Sequence, residues 1–413
     1  MNYQILQGDN RETLKTIPDN SIDAIVTDPP YGISFLGKDW DSFRNSKVTK
    51  NSTVKNLGSG MRMTTKDENV NFQLWCEEWA RECFRVLKPG GYMLSFCAAR
   101  MYHRMTVGLE DAGFEIRDQI MWIYSSGFPK SQDVGKSIER TNKKKNTNKD
   151  SSEWSGWGTC LKPAHEPIAL ARKPTKLSYA ENCQAHGVGA LNIDATRVPI
   201  DDQLKEWYKK YPEQKSKDGV HTNYNPELQD KVKIKNTQPV DTSEVQGRFP
   251  SNVLGEISEP YQKYFYCPKV SRAERHVGFD PNSQGNIIDS EVFGKTPVCL
   301  DCGLTRNGST KHDGCDPANI GFQERRTKRS TEVGNNHPTV KPIELMKYLI
   351  KLVTPPGGTV LDPFNGSGST GCAAVELGHP YIGCELDANY VEIAKKRIEA
   401  WNKPDSNFEN LFE

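Results

Sequence analysis

At 413 residues, 35% of them apolar, the chain can build a sizeable core and is long enough for two lobes rather than one. Its 54 basic and 53 acidic residues leave a net charge of +1, which argues neither for nor against nucleic acid, so a DNA-binding surface would have to be a local patch. No run of about 18 apolar residues occurs and the N-terminal stretch is polar, so neither a membrane span nor an export signal is expected, and eleven cysteines, an odd count, then fit reduced thiols in a cytoplasm.

Residues 3–6 read as a short apolar strand ending at Gly8-Asp9, where Asp9 or Asn10 caps a helix that Pro18 closes. Residues 22–27 (IDAIVT) form a second strand, apolar enough to be buried on both faces of a parallel sheet, and run directly into Asp28-Pro29-Pro30-Tyr31. From 32 to about 69 there is little periodicity, as in a long functional loop. A helix follows over 72–87, with Trp75, Trp79 and Phe84 near one face, stopped by Lys88-Pro89-Gly90-Gly91. A strand at 92–97, a helix at 101–111 closed by Gly113, and one or two strands within 114–124 complete this block.

Beyond Gly127 the character changes. Residues 142–149 are polar and basic, and no long amphipathic repeat appears before about Asn335, although 165–172 (HEPIALAR) reads as one more core strand. Order returns with a helix over 341–353, whose Ile343, Met346, Leu349, Ile350 and Val353 share one face. A strand at 359–361, a glycine-rich turn, a helix ending near Gly378, a strand at 381–384 and a helix capped by Asp387 close the chain. Strands alternate with helices at both ends, so one α/β sheet assembled from the two termini is expected. The corresponding division places 1–173 and 336–413 in one domain and 174–335 in a second.

Two constellations carry chemistry. In Asp362-Pro363-Phe364-Asn365-Gly366-Ser367-Gly368-Ser369-Thr370 the glycines let the backbone bend and a ligand approach, and the turn opens a helix whose first N–H groups favour an anion. No Gly-Lys-Ser/Thr follows, which excludes an ATPase-type phosphate loop. Glu385, at the end of the next strand, is placed to accept both hydroxyls of a ribose. Without a pyrophosphate-binding glycine pattern, S-adenosylmethionine suits this pair better than a dinucleotide. The bland alternative is an ordinary glycine turn and an acid after a strand.

Asp28-Pro29-Pro30-Tyr31 fixes a carboxylate and an outward carbonyl beside an aromatic ring, because neither proline offers an N–H. Two acceptors gripping the hydrogens of an aromatic amine favour a pyramidal nitrogen with its lone pair aimed at an incoming methyl group. Tyr31 is then available to stack on a base flipped from its duplex. A capped, proline-rich turn without chemistry is the competing reading.

On these residues, together with HPTVKP from His337 to Pro342, the chain resembles the amino-methylating DNA methyltransferases of bacteria and phages. More narrowly, it resembles the permuted class in which the catalytic motif precedes the cofactor motif. The resemblance covers roughly residues 1–135, 160–200 and 335–400. It implies a Rossmann-like seven-stranded mixed sheet of the class I methyltransferase type, circularly permuted, with an inserted target-recognition lobe at 174–335. It further implies that Asp362, Phe364, Gly366, Gly368 and Ser369 line the adenosylmethionine pocket, that Glu385 holds the ribose, and that Asp9 lies near the adenine. Thr339 and Lys341 would close over the methionine end. Asp28, Pro29 and Pro30 would hold the target amine and Tyr31 would stack on the base. Asn365 departs from the family's usual apolar residue, with little consequence expected. Asp at the first position of the tetrapeptide favours adenine N6 over cytosine N4.

Weaker signals remain. Cys299 and Cys302, with His312 and Cys315, have the spacing of a small structural zinc knuckle, and Cys267 is a fifth candidate; a reduced cysteine cluster without metal is the alternative. Lys143-Lys144-Lys145, and Arg325, Arg326, Lys328 and Arg329, could track phosphates or merely be solvated. Phe35 and Trp40 are candidates to close over a flipped base, Trp75 and Trp79 read as core, and Trp154 and Trp157 as either substrate-facing or packed. The partner expected is double-stranded DNA, with no membrane; a homodimer and a cognate restriction enzyme stay open. RNA or a protein amide as substrate, or a DNA-binding module without catalysis, are the competing functions.

Overall fold

The computed structural model describes residues 2–33, 66–124, 131–198, 247–255 and 339–401, isolated positions at 41, 43, 275, 277–279, 335 and 337, and the backbone of short strands between 214 and 330. One mixed sheet has eight strands: β1 (Tyr3–Gln7), β2 (Ile22–Thr27), β3 (Leu87–Phe96), β4 (Glu115–Ile123), β5 (His165–Arg172), β6 (Val253–Gly255), β7 (Val360–Asp362) and β8 (Tyr381–Glu385). Their order in space is β1-β8-β7-β2-β3-β5-β4-β6. Within this sheet β5 runs antiparallel to both its neighbours, and the other pairings are parallel.

The order interleaves the two ends of the chain. β7 and β8 lie between β1 and β2, with Val360 and Leu361 opposite Ala24 and Ile25, and Gln7 opposite Glu385. All six residues of β2 are buried, as a strand covered on both faces requires. Ala24 and Val26 pack into one apolar cluster with α6 (Ile343–Val353), α7 (Ser369–Glu376) and α8 (Ala388–Trp401). Ile25 packs into the other with α2 (Lys66–Val86) and α3 (Tyr102–Asp111). Because β5 is reversed, its first residues reach the edge where β1, β2, β7 and β8 end. That edge is where ligands bind in open α/β sheets.

The structure adds to the sequence reading at several points. Helix α4 (Val134–Lys145) and helix α5 (Tyr179–His186) fall where the sequence shows no long amphipathic repeat. Both are mostly polar, so periodicity misses them, yet Ser178 and Glu181 form a capping box at the start of α5 that the Ser-x-x-Glu spacing does signal. The 114–124 stretch is one strand, with a register shift between Ile116 and Asp118. The sheet has eight strands rather than seven because Val253–Gly255, inside the 174–335 stretch, pairs with Met121–Ile123.

Parts of that stretch are therefore built onto the sheet. Asn182 is fully buried and donates to the carbonyls of Pro89 (3.0 Å) and Val188 (2.8 Å), tying α5 to β3. Asn192 N–H donates to Leu352 O at 2.9 Å, which ties this segment to the C-terminal end of α6, a helix buried around most of its circumference rather than on one face. Cys302, His312, Cys315 and Cys267 lie outside the described residues, as do Phe35, Trp40, Arg325 and Arg326; Cys299 ends a strand, Lys295–Cys299, paired with Ile320–Glu324. Among the described residues no cluster suited to a metal occurs and no helix is long and apolar enough to cross a membrane.

Replacing Asn182 with Ala removes a buried donor from two carbonyls and should cost about 1–3 kcal/mol. The loss should appear as a lower urea midpoint at unchanged slope. An unmoved midpoint would show that α5 is not anchored to the sheet through this side chain.

Candidate active site

The edge at which the parallel strands end gathers residues from both ends of the chain. Thr27, the last residue of β2, donates its hydroxyl to Asp362 Oδ1 at 2.7 Å. Thr370, in α7, donates to Asp362 Oδ2 at 2.6 Å, and Phe364 N–H to Oδ1 at 3.0 Å. Burial raises the Asp362 carboxyl to about 6 against the pull of these donors. Asp362 thus binds the strand end that leads into residues 28–31 to the glycine turn, and its side chain is fully engaged by protein donors.

The turn has a positive φ at Gly366 (+50°) and Gly368 (+81°). A Cβ on Gly366 would lie 2.9 Å from His337 Nε2, so the HPTVKP stretch approaches as closely as a glycine permits. Arg397 of α8, fully buried, donates to Ser367 O at 2.6 Å and Ser367 Oγ at 3.0 Å, and lies 3.5 Å from Ser369 Oγ. It braces the turn from behind. Glu385 accepts from Gly366 N–H at 2.7 Å and from Asp387 N–H at 2.9 Å, and its carboxyl is raised by burial against those bonds. Asn365 is buried and accepts from Tyr381 O–H at 2.7 Å, which gives the polar residue at this position a partner in the core.

Phe364 sits against the rings of Trp75 (5.4 Å between centroids) and Trp79 (5.2 Å). Trp79 is core, as its pattern implies, whereas Trp75 is half-buried beside the glycine turn. Asp9 caps α1 (Asn10–Thr13) and pairs with Arg11 at 2.6 Å, which holds its carboxyl below the ordinary range. Its neighbour Asn10 donates to Pro363 O at 3.0 Å and so clamps β1 to the turn. The set fits the group: a carboxylate at a strand end, an aromatic face and a glycine turn opening a helix are the acceptors and surfaces that an adenosine bearing an amino-acid chain requires.

The tetrapeptide forms a second cluster. Asp28 Oδ1 lies 2.6 Å from the Tyr31 hydroxyl and Oδ2 lies 2.5 Å from Lys341 Nζ. Lys341, 8% exposed at its side chain, is also 3.3 Å from Glu166 Oε2, and Glu166 Oε2 is 2.9 Å from the Tyr31 hydroxyl. Burial disfavours the Lys341 charge, but the pull of Asp28 and Glu166 outweighs it and raises the ammonium above its ordinary range. Burial, with the two carboxylates, likewise pushes the Tyr31 phenol well up. Lys341, which the resemblance assigns to the cofactor, here touches Asp28 and Tyr31 of the tetrapeptide. Sequence reasoning marks Glu166 only as part of a strand; it enters the site because Trp122 pairs with it and β5 is reversed.

His337 stacks edge-on against Tyr390 at 4.6 Å, and its Nδ1 lies 3.1 Å from Thr339 O and 3.3 Å from Thr339 N. Burial lowers this imidazole to about 4, against an ordinary 6.5, so it is neutral at pH 7. The folded protein then binds fewer protons than the unfolded chain between those two values. The His337 contribution to stability is complete above pH 6.5 and is lost as pH falls toward 4, by about 3 kcal/mol in all. His337→Gln should flatten the loss of thermal stability between pH 6.5 and 4. Parallel wild-type and variant profiles would place the titration elsewhere.

A family model described as DNA methylase, of the N6/N4 type, matches residues 22–396. The type II methyltransferase M.HindIII of Haemophilus influenzae is 26% identical over 410 residues, 95% of this chain and 94% of its own. M.HpaI of Haemophilus parainfluenzae is 22% identical over 405 residues, covering 97% and 75%. The DNA adenine methyltransferase YhdJ of Escherichia coli is 42% identical over 64 residues, 16% of this chain and 22% of its own. Among solved structures, the cytosine-N4-specific PvuII DNA methyltransferase aligns with a TM-score of 0.46 at 15% identity, covering 100% of this chain and 90% of that one.

Proposed function

The chain belongs to the DNA methylase family, whose chemistry is S-adenosylmethionine-dependent methylation of an exocyclic amine, and from that premise we propose that its target is N6 of adenine within a short DNA sequence. The observation that supports this most directly is the meeting of Asp28, Tyr31, the glycine turn and Glu385 at one sheet edge. Asp28, rather than serine, at the head of the tetrapeptide supports adenine, as does similarity to a relative named as an adenine methyltransferase. Cytosine N4 is the second reading. The type II names of two relatives support a restriction endonuclease of the same specificity as partner, and their bacterial sources support work in the cytoplasm.

When bound, the cofactor supplies an electrophilic methyl group on a cationic sulfur. Glu385 would accept from its ribose hydroxyls and Phe364 would flank its base. Asp9, already paired with Arg11, would act at a distance through its charge. Asp28 and the Pro29 carbonyl would accept the two hydrogens of the target amine, and Pro30 would keep that carbonyl turned outward. The amine nitrogen is thereby held with its lone pair toward the methyl group, a contribution of orientation rather than of acid–base power. The ring of Tyr31 would stack on the flipped base.

DNA itself needs a cationic surface. Between β4 and β5 the exposed end of α4 carries Lys143, Lys144 and Lys145, and the exposed Trp154 and Trp157 pack edge-on at 5.5 Å nearby. Replacing the three lysines with Ala should flatten the slope of log affinity against log salt by up to about 0.9 for each phosphate that is no longer neutralised. An unchanged slope would leave these lysines merely solvated.

The deciding experiment is expression in cells without their own methylases, followed by sequencing that reports modified bases. Methyladenine at one short motif is expected. Asp28→Ala should lower transfer by at least about a hundredfold while calorimetry shows cofactor binding retained. Methylcytosine would keep the mechanism and overturn the base; no modification from folded, cofactor-binding protein would overturn DNA as substrate.

A further inference from the structure

Asp28 is occupied before any base arrives. Both its oxygens face donors, the Tyr31 hydroxyl at 2.6 Å and the Lys341 ammonium at 2.5 Å. Glu166 reaches the same two groups, at 2.9 Å and 3.3 Å. A hydroxyl has one proton and can donate it to one carboxylate at a time. The cluster therefore holds two acceptors that compete for the Tyr31 proton and share the Lys341 ammonium, whose three N–H groups can serve both. Its side chains are largely enclosed: 18% exposed for Asp28, 21% for Glu166 and 8% for Lys341.

Resting on the amine-methylation reading above, we propose that Glu166 is a positioning residue that takes over Tyr31 and Lys341 when Asp28 turns to the target amine. Its second role follows from charge. Asp28 and Lys341 alone would be a neutral pair, with the carboxylate's pull on a new donor largely cancelled. With Glu166 the three groups carry a net −1. In the transfer an N–C bond forms as the S–C bond breaks, the sulfur leaves as a neutral thioether, positive charge moves to the amine nitrogen, and that nitrogen afterwards gives one proton to solvent. A fixed negative charge in a site this enclosed favours the nitrogen's developing charge and costs no reorganisation when the charge appears. The reversal of β5 brings Glu166 to this edge, and Phe96, 5.0 Å from the ammonium, closes the other side of Lys341.

The test uses the full-length enzyme, tritiated cofactor, and a duplex carrying the motif found by sequencing, with 2-aminopurine at the target position for the flipping measurement. Glu166→Gln keeps the shape and a hydrogen-bonding group but removes the charge. It should lower kcat by about 10²-fold, with KM for DNA, calorimetric cofactor affinity and the 2-aminopurine fluorescence rise all within about threefold of wild type. Glu166→Asp should recover part of kcat. Glu166→Gln combined with Lys341→Met should be no slower than Glu166→Gln alone, because the cation that Glu166 balances has gone. Near-wild-type kcat in Glu166→Gln would overturn the proposal. So would a defect confined to DNA binding or flipping, additive losses in the double variant, or loss of folding in both Glu166 variants, since each makes the residue structural. Absence of transfer by wild type would instead overturn the reading on which the proposal rests.

Discussion

Asp362 joins two turns that the chain makes far apart. Its two oxygens accept from Thr27, which precedes the tetrapeptide at 28–31, and from Thr370, in the first turn of the helix after the glycine turn. The carboxyl is buried at a cost that raises its pKa to about 6, and three donors offset that cost. A methyl transfer tolerates little misplacement between donor and acceptor. Here the segments that would hold each of them are fixed to the same carboxylate rather than to separate parts of the scaffold. Asn10 on Pro363 O and Arg397 on Ser367 extend the same fixing to β1 and α8.

The second cluster is arranged differently. Two carboxylates, a phenol and one ammonium share a small enclosed volume, and such groups are tolerated only when each finds partners. Removing one member leaves the others buried without their counterpart, which is costly by about 3–5 kcal/mol for a broken buried pair. Lys341 stands two residues before the first residue of α6, so the apolar packing of Ile343, Met346 and Leu349 in the core sets where its ammonium stands. Core packing and site electrostatics are thus one problem at this point of the fold.

Much of this is legible in the residues. Period and composition locate β2, β7 and helix α6, because strands buried on both faces are continuously apolar and an amphipathic helix repeats every three or four residues, while short apolar runs mark β1 and β8. The tetrapeptide, the glycine turn and Glu385 stand out because prolines, glycines and a strand-end acid have local conformational meaning. Helices α4 and α5 do not, since both expose polar faces; only the Ser178–Glu181 capping box marks one of them. Val253–Gly255 is too short to leave a pattern at all.

The sequence by itself determined the two chemistry-bearing turns, the strand–helix alternation around them and the expectation that both belong to one sheet, all properties of neighbouring residues. Tertiary structure alone decided that Glu166 faces Tyr31 and Lys341, that Lys341 touches Asp28, that Asn365 finds Tyr381, and that a strand from within 174–335 joins the sheet. These contacts join residues up to 313 positions apart. Their partners are set by strand order and by the reversal of β5, which no local run of residues encodes.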